Sequence, residues 1–260
     1  VEVKVFNGQN GSSILNQIGA KVVSDGYDAV IPIATLAATC MVTATEETDI
    51  PVVYAAISDP ESAGLVDIPN VTGTSDALNT AFILDMMFAV QPDIKTVGLL
   101  YSRSEVNSET PIAQAKEYLD AKGVKYIEKT GNTTDEVLSA ASELAERCDA
   151  VFTPTDNVVM AAESAVAEIL NEAGVPHYTG ADSFIYSGAF TTCGVNYTEL
   201  GEKTAEMAFD ILLGGEIPAY KVMDGGIITV NTEVAAKLGI DYSAFNDMAN
   251  TVIEVVTSEE

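Results

Sequence analysis

Four short polar clusters in this sequence carry residues able to hold a small charged molecule: Ala34-Thr35-Leu36, Ser58-Asp59-Pro60, Pro154-Thr155-Asp156-Asn157 and Ala181-Asp182-Ser183. Each follows an apolar run of strand type. Small residues at a helix start expose backbone N–H groups, which suit a carboxylate or phosphate; they also permit tight helix–sheet packing. Asp59 either accepts hydrogen bonds from an ammonium or hydroxyl, or closes an Asp turn before Pro60. Asp182 stands at the matching place in the second half. Asp156 offers a carboxylate and, equally, a helix cap. A fifth polar run, Ser102–Ser108, leaves the strand ending at Tyr101. Its Glu105, Asn107 and Ser108 line a cleft or solvate a loop, and it contains no glycine-rich phosphate loop.

Other chemistry is poorly supplied. A single histidine, His177, speaks against a histidine metal site or a Ser-His-Asp triad. Cys40, Cys148 and Cys193 are scattered and lack metal spacing, so they read as small core residues. No cofactor motif is present, and neither cofactor nor metal is expected. The chain has 12 basic and 39 acidic residues, for a net charge of −27. That field repels phosphate backbones and anionic membrane, which excludes nucleic acid as a natural partner. No run approaches the roughly 18 apolar residues of a membrane span. The opening Val-Glu-Val-Lys-Val alternates like a strand and not like an export signal, so an exported form has lost its leader.

The elements that must position these clusters alternate almost throughout. Strand-type runs are expected at Val1–Phe6, Ala29–Ile33, Val52–Ile57, Thr96–Tyr101, Lys125–Lys129, Ala150–Thr153 and Ala189–Val195. Helical faces are expected from Ile14, Ile18 and Val22, from Ile112, Ala115 and Leu119, from Val159, Val166, Ile169 and Leu170, and from Leu200, Thr204, Met207 and Ile211. Pro111 suits a first helical turn, and Thr133 with Glu136 has capping-box spacing. Such alternation predicts an α/β fold of parallel sheets covered by helices on both faces.

The chain also repeats. Asp28-Ala29-Val30 and Asp149-Ala150-Val151 each open a strand that runs into a polar cluster, then a helix. Ile50-Pro51 and Val175-Pro176 each open the next strand. This predicts two Rossmann-like lobes joined by a multi-strand hinge. Lobe 1 is expected over residues 1–75 plus about 193–223, and lobe 2 over 76–192 plus about 224–260. The unit formed by Thr96–Tyr101 and its helix has no counterpart in the first half, so a first strand and helix are expected to be missing before Val1, the alternative being a four-strand variant of the first lobe. Because ligands of open parallel sheets bind beyond the carboxyl ends of the strands, the polar clusters of both lobes are expected to face one cleft. Asn70-Val71-Thr72-Gly73-Thr74-Ser75-Asp76, with a bend at Gly73, is expected to cross between lobes; Gly188–Asn196 and Tyr220–Ile228 are the other candidate crossings.

Several of these segments resemble the substrate-binding proteins of a bacterial ABC-transporter family whose members bind tryptophan and other aromatic amino acids. They are Ile33-Ala34-Thr35, Tyr54-Ala55-Ala56-Ile57-Ser58-Asp59-Pro60, Ala63-Gly64-Leu65, Asn70-Val71-Thr72-Gly73, Glu105-Val106-Asn107-Ser108, Pro154-Thr155-Asp156-Asn157 and Gly194-Val195-Asn196-Tyr197. Their order and spacing match over nearly the whole chain. The resemblance implies a fold of the type I periplasmic binding protein, without catalysis. It implies capture of a small amino acid, aromatic side chains favoured, and delivery to an ABC-transporter permease. It implies an extracytoplasmic location, periplasmic or at the cell surface as a lipoprotein, with membrane contact only through a lipid anchor that this chain does not contain. Carried over by position, the ligand residues are Ala34, Thr35, Leu36, Ser58, Asp59, Thr74 and Ser75 from lobe 1, with Asn107, Ser108, Asp156, Asn157 and Asp182 from lobe 2. Backbone amides and hydroxyls would hold the carboxylate and Asp156 or Asp182 the ammonium. Tyr101 or Phe184 would provide an aromatic wall, or ordinary core. The alternatives are a binding protein for a sugar, nucleoside or aliphatic amino acid, a racemase-type enzyme using Asp59 and Asp182, and a sensor domain of repressor type, for which the basic DNA-binding module is lacking.

Overall fold

The alternating pattern resolves, in a computed structural model that describes residues 1–258, into ten strands and eleven helices. In chain order these are α1 (Ser12–Asp25), α2 (Thr35–Thr45), β1 (Val52–Tyr54), β2 (Val71–Ser75), α3 (Thr80–Val90), β3 (Thr96–Tyr101), α4 (Glu109–Lys122), β4 (Lys125–Thr130), α5 (Thr134–Ala145), β5 (Ala150–Thr153), α6 (Asn157–Met160), α7 (Glu163–Glu172), β6 (His177–Thr179) and α8 (Asp182–Tyr186). Then follow β7 (Thr191–Gly194), α9 (Tyr197–Leu212), β8 (Lys221–Val222), β9 (Ile227–Asn231), α10 (Thr232–Leu238), α11 (Phe245–Met248) and β10 (Thr251–Val255). A short 3-10 turn at Val106–Ser108 precedes α4.

Local chemistry sets many of the helix starts. The Thr133 hydroxyl accepts from Glu136 N at 3.3 Å, the capping expected from the sequence. Asn79, Asn196 and Asn231 cap α3, α9 and α10 with their side-chain oxygens. Such caps satisfy N–H groups that have no intrahelical acceptor, each worth about 1 kcal/mol. In α4 the predicted stripe Ile112, Ala115 and Leu119 is buried, and in α9 Leu200, Thr204 and Met207 are. Of the expected α1 face, Val22 is buried and Ile18 packs against the unit 1 core, whereas Ile14 is exposed and Leu15 and Gly19 are buried in addition.

The chain divides into two units. Unit 1 comprises Val1–Ala77 and Asn196–Met223; unit 2 comprises Leu78–Val195 and the chain from Asp224 onward. Unit 1 holds the parallel sheet β1-β2-β8. Its core gathers Val22, Ala38 and Met41 from the helices and Val52, Tyr54 and Ile57 from the β1 segment. On the other side Val53 packs against Met207 and Ala208 of α9. Gly73 is required by close approach: a Cβ there would lie 2.0 Å from the Tyr54 carbonyl oxygen. Unit 2 holds a seven-stranded sheet of order β10-β9-β7-β6-β5-β3-β4, parallel except where β7 meets β9. Phe152, Tyr178 and Phe190 are fully buried in its core, each contributing about 1.5–3 kcal/mol through burial.

Two expected strands are not formed. Val1–Phe6 lies outside any strand, with Val1, Val3 and Val5 at 96%, 77% and 90% exposed. Alternation describes a strand only when a neighbouring strand completes the ladder and one face is covered; here neither condition is met. Ala29–Ile33 makes only isolated bridges, Val30 to Val52 and Ile33 to Ala55, and Ile31 and Ile33 are exposed. The helix expected to carry Val159 through Leu170 is broken into α6 and α7 at Ala161-Ala162. The fold class is as expected: α/β, with sheets that are predominantly parallel.

Candidate functional site

The carboxyl ends of the unit 1 strands bring two of the predicted clusters, with Thr74 and Ser75, into neighbouring exits. Ala34 precedes α2 at φ 70°, ψ 159°, and its N–H donates to the Ala55 carbonyl at 3.1 Å. Ala56, on the next exit, has φ 56°. Two alanines in the left-handed half of backbone space store strain of about 1–2 kcal/mol each. No side chain caps α2, whose first intrahelical bond runs from Ala38 N to Ala34 O. The amides of Thr35, Leu36 and Ala37 therefore have no intrahelical acceptor, an arrangement suited to an anion. Thr35 itself is buried.

Asp59 makes the turn that the sequence offered as one reading: Oδ1 accepts from Ser62 N at 2.9 Å and Oδ2 from Ser62 Oγ at 2.7 Å. Ser58 Oγ donates to Asp76 Oδ1 at 3.0 Å. Thr74 and Ser75 are fully buried. Thr74 shares a 2.7 Å hydroxyl bond with Thr204 of α9, and Ser75 Oγ accepts from Ala77 N. Both lock β2 in place. The residue singled out by geometry but not by the sequence reading is Asp76, which also accepts from the Tyr197 hydroxyl at 2.8 Å. Its signal was its place immediately after a strand, next to Thr74 and Ser75.

In unit 2 the exits of β3 and β5 interlock. Asp156 is 1% exposed and accepts four donors: Ser102 N and Ser108 Oγ at 2.7 Å on Oδ2, and Val158 N and Val159 N at 3.0 Å on Oδ1. An ionised carboxylate has about four acceptor positions, so Asp156 is fully engaged within its own unit. Burial still pushes its carboxyl above the ordinary range, against the opposing pull of Ser102, Val159 and Ser108. Asn107 Nδ2 donates to the Thr155 carbonyl at 2.6 Å, and Asn157 Nδ2 to Glu105 Oε2 at 2.8 Å. Asp182, beyond β6, is half-buried; burial raises its carboxyl too, opposed by backbone N–H bonds from Ser183 and its own residue. The candidate aromatic wall is core: the Tyr101 hydroxyl donates to Glu128 Oε2, and Phe184 packs edge-on against His177.

His177 joins Thr153 and Glu163 in a buried row, with Nε2 2.8 Å from Thr153 Oγ1 and Nδ1 2.9 Å from Glu163 Oε1. The order resembles a hydrolase triad, but His177 and Thr153 are 0% exposed and no substrate reaches them. Among the described residues no group of three or more His, Cys, Asp or Glu is arranged to hold a metal ion. An open depression of about 820 Å³ in unit 2 lies beside Thr96, Lys125 and Arg147, at the amino ends of β3 and β4 and away from the strand exits.

Known proteins resemble this chain in sequence and fold. Residues 1–250 match the family of ABC transporter substrate binding proteins. The tyrosine-binding protein of Clostridioides difficile (strain R20291) is 33% identical over 236 residues, 88% of this chain and 68% of that protein. An ABC domain from Streptococcus pneumonia in complex with L-Trp superposes with a TM-score of 0.90 at 29% identity, over 97% of this chain and 88% of that one. The ligand-free, open structure of a substrate-binding protein with adhesive properties from Clostridium difficile gives 0.70 at 33% identity, over 97% and 86%. Proteins of this kind bind a small molecule, act outside the cytoplasm and work with a membrane permease. Among the described residues no helix is long and apolar enough to cross a membrane. With the family match running through nearly the whole sequence, this chain belongs to the ABC transporter substrate-binding proteins.

Proposed function

We propose that the protein captures an aromatic amino acid at the strand exits and delivers it to its permease without transforming it. The observation that carries this reading is the uncapped start of α2, which presents amides suited to a carboxylate where Ala34 N–H meets the Ala55 carbonyl. It is supported by relatives that are named for tyrosine binding or solved with L-Trp. In this reading Ala34, Thr35 and Leu36 hold the solute carboxylate through backbone N–H groups, and Ser58 and Asp59 border it. Thr74 and Ser75 act by fixing the β2 exit. In unit 2, Asn107, Ser108, Asp156 and Asn157 shape a polar rim. Asp156 acts as the anchor of that rim, and the half-buried Asp182 borders it. The domain assignment follows the same reading, with one lobe built on each sheet. In this reading the protein works outside the cytoplasm, in the periplasm or held at the cell surface by a lipid anchor.

Titration calorimetry of the purified protein against L-tyrosine, L-tryptophan, L-phenylalanine, L-leucine and D-ribose tests this. The aromatic amino acids should bind, the other two should not, and the solute should be recovered unchanged. Binding of ribose alone, or turnover of the amino acid, would overturn it.

A further inference from the structure

Asp76 is the first residue beyond the carboxyl end of β2, the middle strand of the unit 1 sheet. Its side chain is nine-tenths buried, at 6% exposed. Three donors reach it: Ser58 Oγ at 3.0 Å, the Tyr197 hydroxyl at 2.8 Å, and its own backbone N–H. About four acceptor positions are available on a carboxylate, so one remains. All three donors are neutral, and among the described residues none of the ion pairs involves Asp76. Burial raises its carboxyl above the ordinary range, and the two hydroxyls offset this only in part. A buried carboxylate without a cation is costly unless one arrives. Ser58 and Tyr197 are only partly buried, so this network extends from the buried carboxylate toward the surface at the β2 exit.

We infer that Asp76 selects for solutes that carry an α-ammonium group, which would donate to the open acceptor position and bring the missing positive charge. The inference rests on the reading of the protein as an amino-acid binder. It differs from the sequence expectation, which gave the ammonium to Asp156 or Asp182. An N⁺–H donor to a carboxylate makes a charge-assisted bond, stronger than the hydroxyl bonds already present. A solute lacking the amine would leave Asp76 as it is, and would gain nothing from it.

The test pairs each amino acid with its desamino acid in calorimetry: L-tyrosine with 3-(4-hydroxyphenyl)propionate, L-phenylalanine with 3-phenylpropionate, L-leucine with 4-methylpentanoate. The wild type should prefer the amino acid in the pair it binds. Asp76→Asn should weaken that amino acid about 10- to 100-fold and leave the desamino acid within about threefold, so the preference collapses. Asp76→Ser, which keeps a polar group beside Ser58 and Tyr197, is read in the same way if the amide variant does not fold. A folded variant of either kind that keeps the preference overturns the inference, as does a wild type that binds both members of a pair equally. If the wild type takes only the leucine pair, the aromatic reading fails while Asp76 is still judged on that pair. If it takes no amino acid, both readings fall.

Discussion

The Tyr197 hydroxyl donates to Asp76 Oδ2 at 2.8 Å, across 121 residues of sequence. The bond ties the first residue of α9 to the exit of β2. Both residues lie beside points where the chain passes between units, at Ala77–Leu78 and at Val195–Asn196. At the third such point, Met223 N donates to the Ser75 carbonyl at 2.9 Å. The polar contacts around β2 thus hold in register the segments that leave and re-enter unit 1.

Tyr197→Phe should cost about 1–3 kcal/mol, because it removes a donor from a buried carboxylate and leaves that oxygen short. Urea unfolding of wild type and variant measures the difference. An unchanged midpoint would mean that water replaces the hydroxyl without loss.

Asp156→Ala should destabilise by about 2 kcal/mol or more, since a helix cap and two further buried donors lose their acceptor together. Asp156→Asn keeps one acceptor oxygen and should fall between wild type and alanine. Equal losses for the two substitutions would show that the carboxylate charge, and not its acceptor count, is what matters.

Glu163 gives the fold a pH dependence of predictable sign. Burial raises its carboxyl, opposed by His177, and its Oε2 has no hydrogen-bond partner among the described residues. The folded state therefore holds this proton more tightly than the unfolded chain does. The resulting stabilisation is complete below the ordinary carboxylate value of about 4.3 and is lost as pH rises through the raised value. Glu163→Gln mimics the protonated form and should flatten this part of the curve. Melting temperatures of both proteins across mildly acidic pH check it; parallel curves would reject the assignment.

Gly73→Ala should destabilise by about 3 kcal/mol through steric overlap, because its Cβ would lie 2.0 Å from the Tyr54 carbonyl oxygen in the paired strand. Ala34→Gly should do the reverse. Relief of about 1–2 kcal/mol of left-handed strain outweighs the added freedom of the unfolded chain, about 0.4–1 kcal/mol. Both effects are read from chemical denaturation.

Much of this was legible in the residues. β3 and β5 fall at the expected Thr96–Tyr101 and Ala150–Thr153, because a run of β-branched and apolar residues between polar breaks is a local signal. The α4 stripe and the Thr133 cap follow for the same reason. Gly73 was read as a bend, whereas it serves close packing of two strands. Val1–Phe6 has the right alternation, yet it forms no strand, since a ladder is a property of two segments.

The candidate site divides along the same line. The sequence by itself determined that polar clusters follow the strands, because strand, turn and helix start are written in consecutive residues. Only the tertiary structure decided which carboxylates have acceptor positions left. Asp156 is filled by Ser102 and Ser108, 54 and 48 residues away. Asp76 meets two neutral hydroxyls, Ser58 18 residues back and Tyr197 121 residues on, and no cation among the described residues. A carboxylate's role depends on the donors and charges that the folded chain brings to it, and spacing along the chain does not contain that information.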